Sequence, residues 1–354
     1  MNLILKPCQT EGFAHGVSTS RNLFDAQGVL LLAKGEVVTI RVLELLKSHQ
    51  VYILQFESDK TIPPKCFSQE RYQNVLASMQ DIYQGGNLVT EVKLIATKDV
   101  VDGIFDELTK NPRIYFNLNQ FRNFDNYTYV HSVNVGLIAS LIAINMGYMD
   151  EQLKELILGA LLHDLGKMTI PTELLNKPTG LTTQEFEILK QHPIRGVELL
   201  KEVKISPEVL AGIRQHHERW NGQGYPDGLK SNAIHPYARV IAVADVFDAI
   251  TADRPYHEGI PLYYALELVE AGSDSDFAPE VVLALRNSLV IYPENSSVKL
   301  NTGEIGIVID IPSNFPTRPL IRILFDKYGN LVQDEIVVDL LRDLTRFISS
   351  VDFQ

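Results

Sequence analysis

Five of the nine histidines of this chain fall between His131 and His217, in an ordered series. They stand in YTYVHSVNV, in the pair His163-Asp164, at His192 in QHP and in the pair His216-His217; Asp245 follows in VADVFDAIT. Imidazole and carboxylate groups without cysteine suit manganese, iron or zinc rather than a soft thiolate site. An aspartate beside a histidine can bridge two ions, and two ions suit phosphodiester hydrolysis. They acidify a shared water and steady the entering and leaving oxygens. Singly, each element has a plainer reading: a hydrogen-bonded histidine, a capping aspartate, a polar helix end. Together they sit at or near the ends of apolar helical segments. Such groups converge on one end of a helix bundle, where buried polar atoms need a metal or one another.

The elements that must position them follow from periodicity. Leu153, Leu156, Ile157, Ala160 and Leu161 repeat at helical spacing and lead into His163-Asp164. Thr182-Thr-Gln-Glu185 reads as a capping box, and Ser206-Pro207 as a helix start with proline in the first turn. Pro236 to Asp253 supplies a helix carrying Asp245 and Asp248. The pattern is almost wholly helical from about Gln69 to Gly272. Before it, residues 1–65 read as a small α/β module: a turn at 25–28, a strand at 28–32, a helix in VTIRVLELLKSHQ, a strand from Val51 and a linker at Thr61 to Lys65. After it, residues 291–354 read as a small β-rich module, with strands in VKL, EIGIVIDI and LIRILF and a short helix from Val337 to Ile348. The fold class is mainly α.

At 354 residues the chain has room for two or three domains of roughly 150 residues. A net charge of -12 argues against a nucleic acid polymer or an anionic membrane as partner. An anionic substrate must therefore be met locally, by metal ions and a few placed cations. Cys8 and Cys66 have no metal-type spacing, and a reducing compartment is the simpler reading. The amino terminus, MNLILKPCQTEGF, has too short an apolar run and no basic region for a signal peptide. The most apolar stretch, Val135 to Met146, falls short of the ~20 residues a membrane helix needs. These features point to a cytoplasmic protein.

HDLGK at 163–167, followed by HHERWNGQGYP at 216–226 with IPTELLNKPTGLTTQEFEILKQHP between them, closely resembles the HD-GYP subgroup of the HD phosphohydrolases. The similarity runs from about Tyr127 to Tyr256. It implies an HD-type five-helix bundle as the core of a domain spanning 69–290, with the core at about 120–290. It further implies two divalent transition-metal ions, Fe or Mn, and hydrolysis of cyclic di-GMP, or cyclic GMP-AMP, to the linear dinucleotide. One ion would take His131, His163, Asp164 and Asp245; the other His192, His216 and His217, with Asp164 bridging. Some members hold a third ion through a glutamate four residues before the first histidine. Tyr127 stands there, so two ions are expected.

Lys167, four residues after His163, would face the metals and serve the phosphate or the leaving oxygen, with Asp164 as its catalytic partner. Its plainer role is a cation near a helix carboxy terminus. Arg254 resembles the family's phosphate-binding arginine. His257 stands where members commonly have Lys or Arg, which implies a weaker or pH-dependent grip. Gly224, Tyr225 and Pro226 would line the substrate pocket, and Asn134 would touch substrate or orient the metal ligands. Asp248 would support from behind the ligands. A non-catalytic cyclic-dinucleotide receptor and a phosphohydrolase for another nucleotide are the competing readings. A homodimer or a signalling partner protein is left open.

Overall fold

The computed structural model describes residues 2–7, 19, 23–24, 30–32, 37–48, 52–57, 67–84, 91–110, 127–175, 177, 179–252, 259–312, 315–330, 332 and 334–352. The expected turn at 25–28, the linker at 61–65, Cys8, Cys66, Arg254 and His257 lie outside the described residues, as does the side chain of Tyr127. The chain divides into two compact units. One is 64–291; the other joins 1–63 with 292–354.

The helical unit is built around one mostly apolar helix. α4 (Tyr127–Asn145) buries Val133, Val135, Leu137, Ile138, Ala139, Ile142 and Ala143. A helix apolar on every side must be enclosed by others. It is: α2 (Gln69–Gln84), α5 (Asp150–Leu162), α10 (Pro236–Thr251) and α12 (Pro279–Ser288) pack on it. α3 (Glu91–Lys110) lies against α5, and α9 (Pro207–Gln215) against α5 and α10. Each fully buried Leu, Ile or Val side chain contributes about 1.5–3 kcal/mol. The short helices α6 (Thr172–Leu175), α7 (Thr183–Leu189) and α8 (His192–Leu199) join α5 to α9, and α11 (Leu262–Ala271) precedes α12. The capping box is present: Thr182 accepts from Glu185 N, and Glu185 accepts from Thr182 N. Ser206 caps α9 through Val209 N. Among the described residues no helix is long and apolar enough to cross a membrane.

The other unit holds two antiparallel sheets. Strands β1 (Asn2–Pro7), β2 (Leu23–Phe24), β3 (Leu30–Leu32) and β4 (Tyr52–Glu57) form one in the order β1-β4-β2-β3, with α1 (Ile40–Ser48) between β3 and β4 in sequence. Strands β5 (Ser297–Leu300), β6 (Ile305–Asp310), β7 (Leu320–Phe325), β8 (Val337–Asp339) and β9 (Ile348–Asp352) form the second, in the order β8-β7-β6-β5-β9. The strands expected in VKL, EIGIVIDI and LIRILF are β5, β6 and β7. The helix expected from Val337 to Ile348 is absent. Its two ends are strands on opposite edges of the sheet, with turns between them. Asp339 Oδ1 accepts from Leu341 N at 3.0 Å and Asp343 Oδ1 from Thr345 N at 3.1 Å. These side chains give the backbone an alternative to helix. Leu344 and Phe347 of this segment are 72% and 52% exposed.

Candidate metal centre

Helix carboxy termini aim the histidines. The last carbonyls of a helix have no partner within it. His163 follows α5 and its Nδ1 lies 2.7 Å from Ala160 O; His216 follows α9, with Nδ1 2.7 Å from Ile213 O. His192 opens α8 just after α7, with Nδ1 2.8 Å from Leu189 O. A carbonyl oxygen only accepts, so each Nδ1 carries the proton and each Nε2 keeps a lone pair. His131, in the second turn of α4, is turned by a carboxylate instead: Asp248 Oδ2 lies 2.7 Å from its Nδ1 and Asp245 Oδ1 3.0 Å from its Nε2.

These rings and two aspartates form two groups, Asp164-His192-His216-His217 and His131-His163-Asp245, whose ligand atoms lie within 4.8 Å of one another in each group. Asp164 faces both. Its Oδ2 is 3.4 Å from His163 Nε2 and 3.7 Å from His131 Nε2, while Oδ1 is 3.3 Å from His192 Nε2 and 4.0 Å from His216 Nε2. His217 Nδ1 is 3.9 Å from Asp245 Oδ2. The turn carrying Asp164 is pressed onto α8: a Cβ on Gly166 would lie 1.9 Å from His192 O, so only glycine fits.

The charge states suit a cation. Burial alone would raise the carboxyl of Asp164, but Lys167 and the surrounding histidines hold it well below its usual range. Burial likewise opposes the charge of Asp245, and His131 outweighs it, so Asp245 is also held low. Burial pushes His192 down to about 4 and His217 to about 3, leaving them neutral at physiological pH. His131 goes the other way: its two carboxylate partners outweigh burial and raise it to about 10, so it must release a proton when an ion binds. The buried atoms His163 Nε2 and Asp164 Oδ1 have no hydrogen-bond partner. An orphaned imidazole lone pair and an orphaned carboxylate oxygen are each costly in a protein interior, and divalent ions would satisfy them. The residues fit a metal.

The family model described as HD domain matches residues 105–281, which is half of the chain. The chain belongs to the HD domain family. Its Gly224-Tyr225-Pro226 triplet after His216-His217 places it in the HD-GYP branch. A second model, a KOW domain associated with HD domains, matches residues 297–354. A cyclic di-GMP phosphodiesterase of Pseudomonas aeruginosa is 33% identical over 267 residues, 75% of this chain and 64% of that protein. A cyclic di-GMP phosphodiesterase of Thermotoga maritima is 41% identical over 170 residues, 47% of this chain and 45% of the relative. The chain thus spans less than two thirds of these relatives. An HD-GYP-type protein of Bdellovibrio bacteriovorus matches in fold with a TM-score of 0.52 at 20% identity, covering 80% of this chain and 98% of that one.

Around the HD centre, Lys167 places Nζ 2.5 Å from Asp164 Oδ2, with its side chain 27% exposed. Tyr225 stacks on His217 with ring centroids 4.7 Å apart, and the Tyr225-Pro226 peptide is cis. A Cβ on Gly224 would lie 2.3 Å from Arg219 N and 2.4 Å from Glu218 Cα, so this loop also requires glycine. Asn134 is buried, and its Oδ1 accepts from the Tyr72 hydroxyl of α2 at 2.8 Å. Three supports escaped the sequence reading in whole or in part. Asp248 was placed behind the ligands, but not on His131. Buried Glu218 accepts from Asp227 N at 2.7 Å and Leu229 N at 2.9 Å, pinning the loop that carries Tyr225; its position directly after His217 was the available signal. Tyr83 of α2 bonds Ser132 beside His131 at 2.9 Å, and no spacing in the sequence announces that pair.

Proposed function

We propose that this chain is a two-metal-dependent phosphodiesterase that opens a cyclic dinucleotide, cyclic di-GMP or cyclic GMP-AMP, to the linear dinucleotide. The observation that carries it is Asp164, which turns one carboxylate oxygen to each of two histidine groups. In this reading His131, His163 and Asp245 hold one ion, His192, His216 and His217 the other, and Asp164 bridges. Iron or manganese suits the imidazole and carboxylate set. Tyr127 offers no carboxylate for a third ion. When bound, the pair supplies an acidified water and charge stabilisation at the phosphoryl oxygens.

The protein's own groups do the remainder. The buried neutral imidazoles of His192, His216 and His217 present fixed lone pairs, so that part of the ligand cage needs little reorganisation. Lys167 neutralises Asp164 from the solvent side and is placed to donate to a phosphate oxygen or to the leaving oxygen. Tyr225 stacks on His217 and would line the substrate pocket. The cyclic dinucleotide as substrate is supported by the names of the relatives.

Product analysis after incubation of iron- or manganese-loaded protein with cyclic di-GMP, 3′3′-cyclic GMP-AMP and cyclic di-AMP tests the reading. A linear dinucleotide should appear, and Asp164→Ala should abolish turnover together with loss of bound metal. Binding without turnover in metal-replete protein would instead make the chain a receptor. Full activity in Asp164→Ala would overturn the site.

A further inference from the structure

Beside the His/Asp cluster lies an aromatic and cationic ledge that the metal chemistry leaves unused. Tyr225 and His217 are nearly parallel, at 24°. Tyr225 also meets the Phe186 ring at 6.5 Å between centroids and 77° between planes. Lys190 sets its Nζ 4.9 Å from the Phe186 centroid and 5.8 Å from that of Tyr225, while pairing with Glu187 Oε1 at 2.7 Å. Two ring-to-ring contacts therefore lead from an imidazole of the proposed metal cage to Phe186. That is the kind of reach a nucleotide has from phosphate to base.

Phe186 is 41% exposed, although α7 is firmly anchored. The Thr182 capping box closes its first turn, and Lys177 pairs with Glu185 at 2.6 Å. An exposed aromatic ring on a fixed element offers stacking area at little entropic cost. Base–aromatic stacking contributes about 1–3 kcal/mol per base. The Lys190 ammonium, which lies over this ring and pairs with Glu187, would add selectivity by moving to the edge of a stacked purine, because guanine presents the acceptors O6 and N7 there whereas adenine presents a donor amine.

Resting on the proposed cyclic-dinucleotide reading, we propose that Phe186 and Lys190 form the base-recognition platform of this site. The Phe186 ring stacks on one purine and the Lys190 ammonium reads its O6/N7 edge, which selects guanine over adenine.

The test uses the full metal-loaded chain, with calorimetric binding of hydrolysis-resistant phosphorothioate analogues of cyclic di-GMP and cyclic di-AMP alongside steady-state kinetics. Phe186→Ala should raise Kd and KM for the guanine ligand about tenfold, with a smaller change in kcat, and Phe186→Trp should restore them. Lys190→Gln should narrow the difference in affinity between the two ligands. Methyl p-nitrophenyl phosphate, a diester without a base, should lose far less turnover than cyclic di-GMP in Phe186→Ala. Wild-type affinity for cyclic di-GMP in both variants, with wild-type protein turning it over, refutes the platform and leaves the phosphodiesterase standing. Absence of both binding and turnover of every cyclic dinucleotide by the wild-type protein overturns the two together.

Discussion

Replacing Asp248 by alanine removes the carboxylate that turns His131 toward the other ligands. Asp248 is 2% exposed, and its Oδ2 lies 2.7 Å from His131 Nδ1. That contact leaves Nε2 as the ring nitrogen facing Asp245 and Asp164. A hydrogen bond involving a charged group contributes about 1.5–3 kcal/mol, and about 1.4 kcal/mol is a factor of ten. Asp248→Ala should therefore weaken the ion held by His131, His163 and Asp245 by about 10- to 100-fold, the range expected for a partner behind a metal-bound histidine. Asp248→Asn keeps the shape and an amide oxygen that can accept the same N–H, so its loss should lie near the low end, about tenfold. Competition against a chromogenic chelator at neutral pH measures both ions. The ion on His192, His216 and His217 should stay close to wild type, because Asp248 touches none of them. Far-UV circular dichroism checks that the variants fold. An Asp248→Ala protein that binds both ions with unchanged affinity refutes the argument that this carboxylate orients the ligand.

Gly224→Ala should lower stability by about 1–3 kcal/mol, since the new methyl would meet backbone of Arg219 and Glu218; an unchanged denaturant midpoint would show that the loop yields freely. Chelating the metal should lower the melting temperature of the protein, because ligands bound only by the folded state stabilise it; identical melting curves with and without chelator would count against a tightly held centre. Glu185, held at about 2 against a usual 4.5 by Lys177 and the Thr182 cap, gives stability that is present above pH 4.5 and lost as pH falls towards about 2. The melting-temperature gap between wild type and Glu185→Gln should accordingly be widest above pH 4.5 and shrink in acid; a gap independent of pH would remove the charge from the account.

Much of the helical unit was legible because its signals are local. The capping box at Thr182, the Ser206-Pro207 start and the apolar spacing before His163 each depend on residues within a turn or two of one another. The carboxy-terminal module shows the limit of such reading. Val337 to Ile348 has helix-like apolar spacing, yet its ends belong to opposite edges of one sheet. Pairing with β7 and β5, which lie earlier in the chain, outweighed the local pattern. Binary periodicity over so short a segment cannot encode that competition.

The candidate site divides in the same way. Residue type and order alone determined the HD signature, the seven metal-capable groups and the absence of a carboxylate at Tyr127. The sequence also placed those groups near helix ends, where a free carbonyl orients the rings of His163, His192 and His216. Only the tertiary structure decided that Asp164 shows one oxygen to each group, that Asp248 stands behind His131, that Glu218 fixes the loop under Tyr225, and that Phe186 and Lys190 lie beside it. Apart from the Glu218 contacts, which span nine and eleven residues, each of these joins elements far apart in the chain. Such contacts are set by how α4, α5, α9 and α10 pack around a shared apolar core, and packing is a property of the whole unit rather than of any segment.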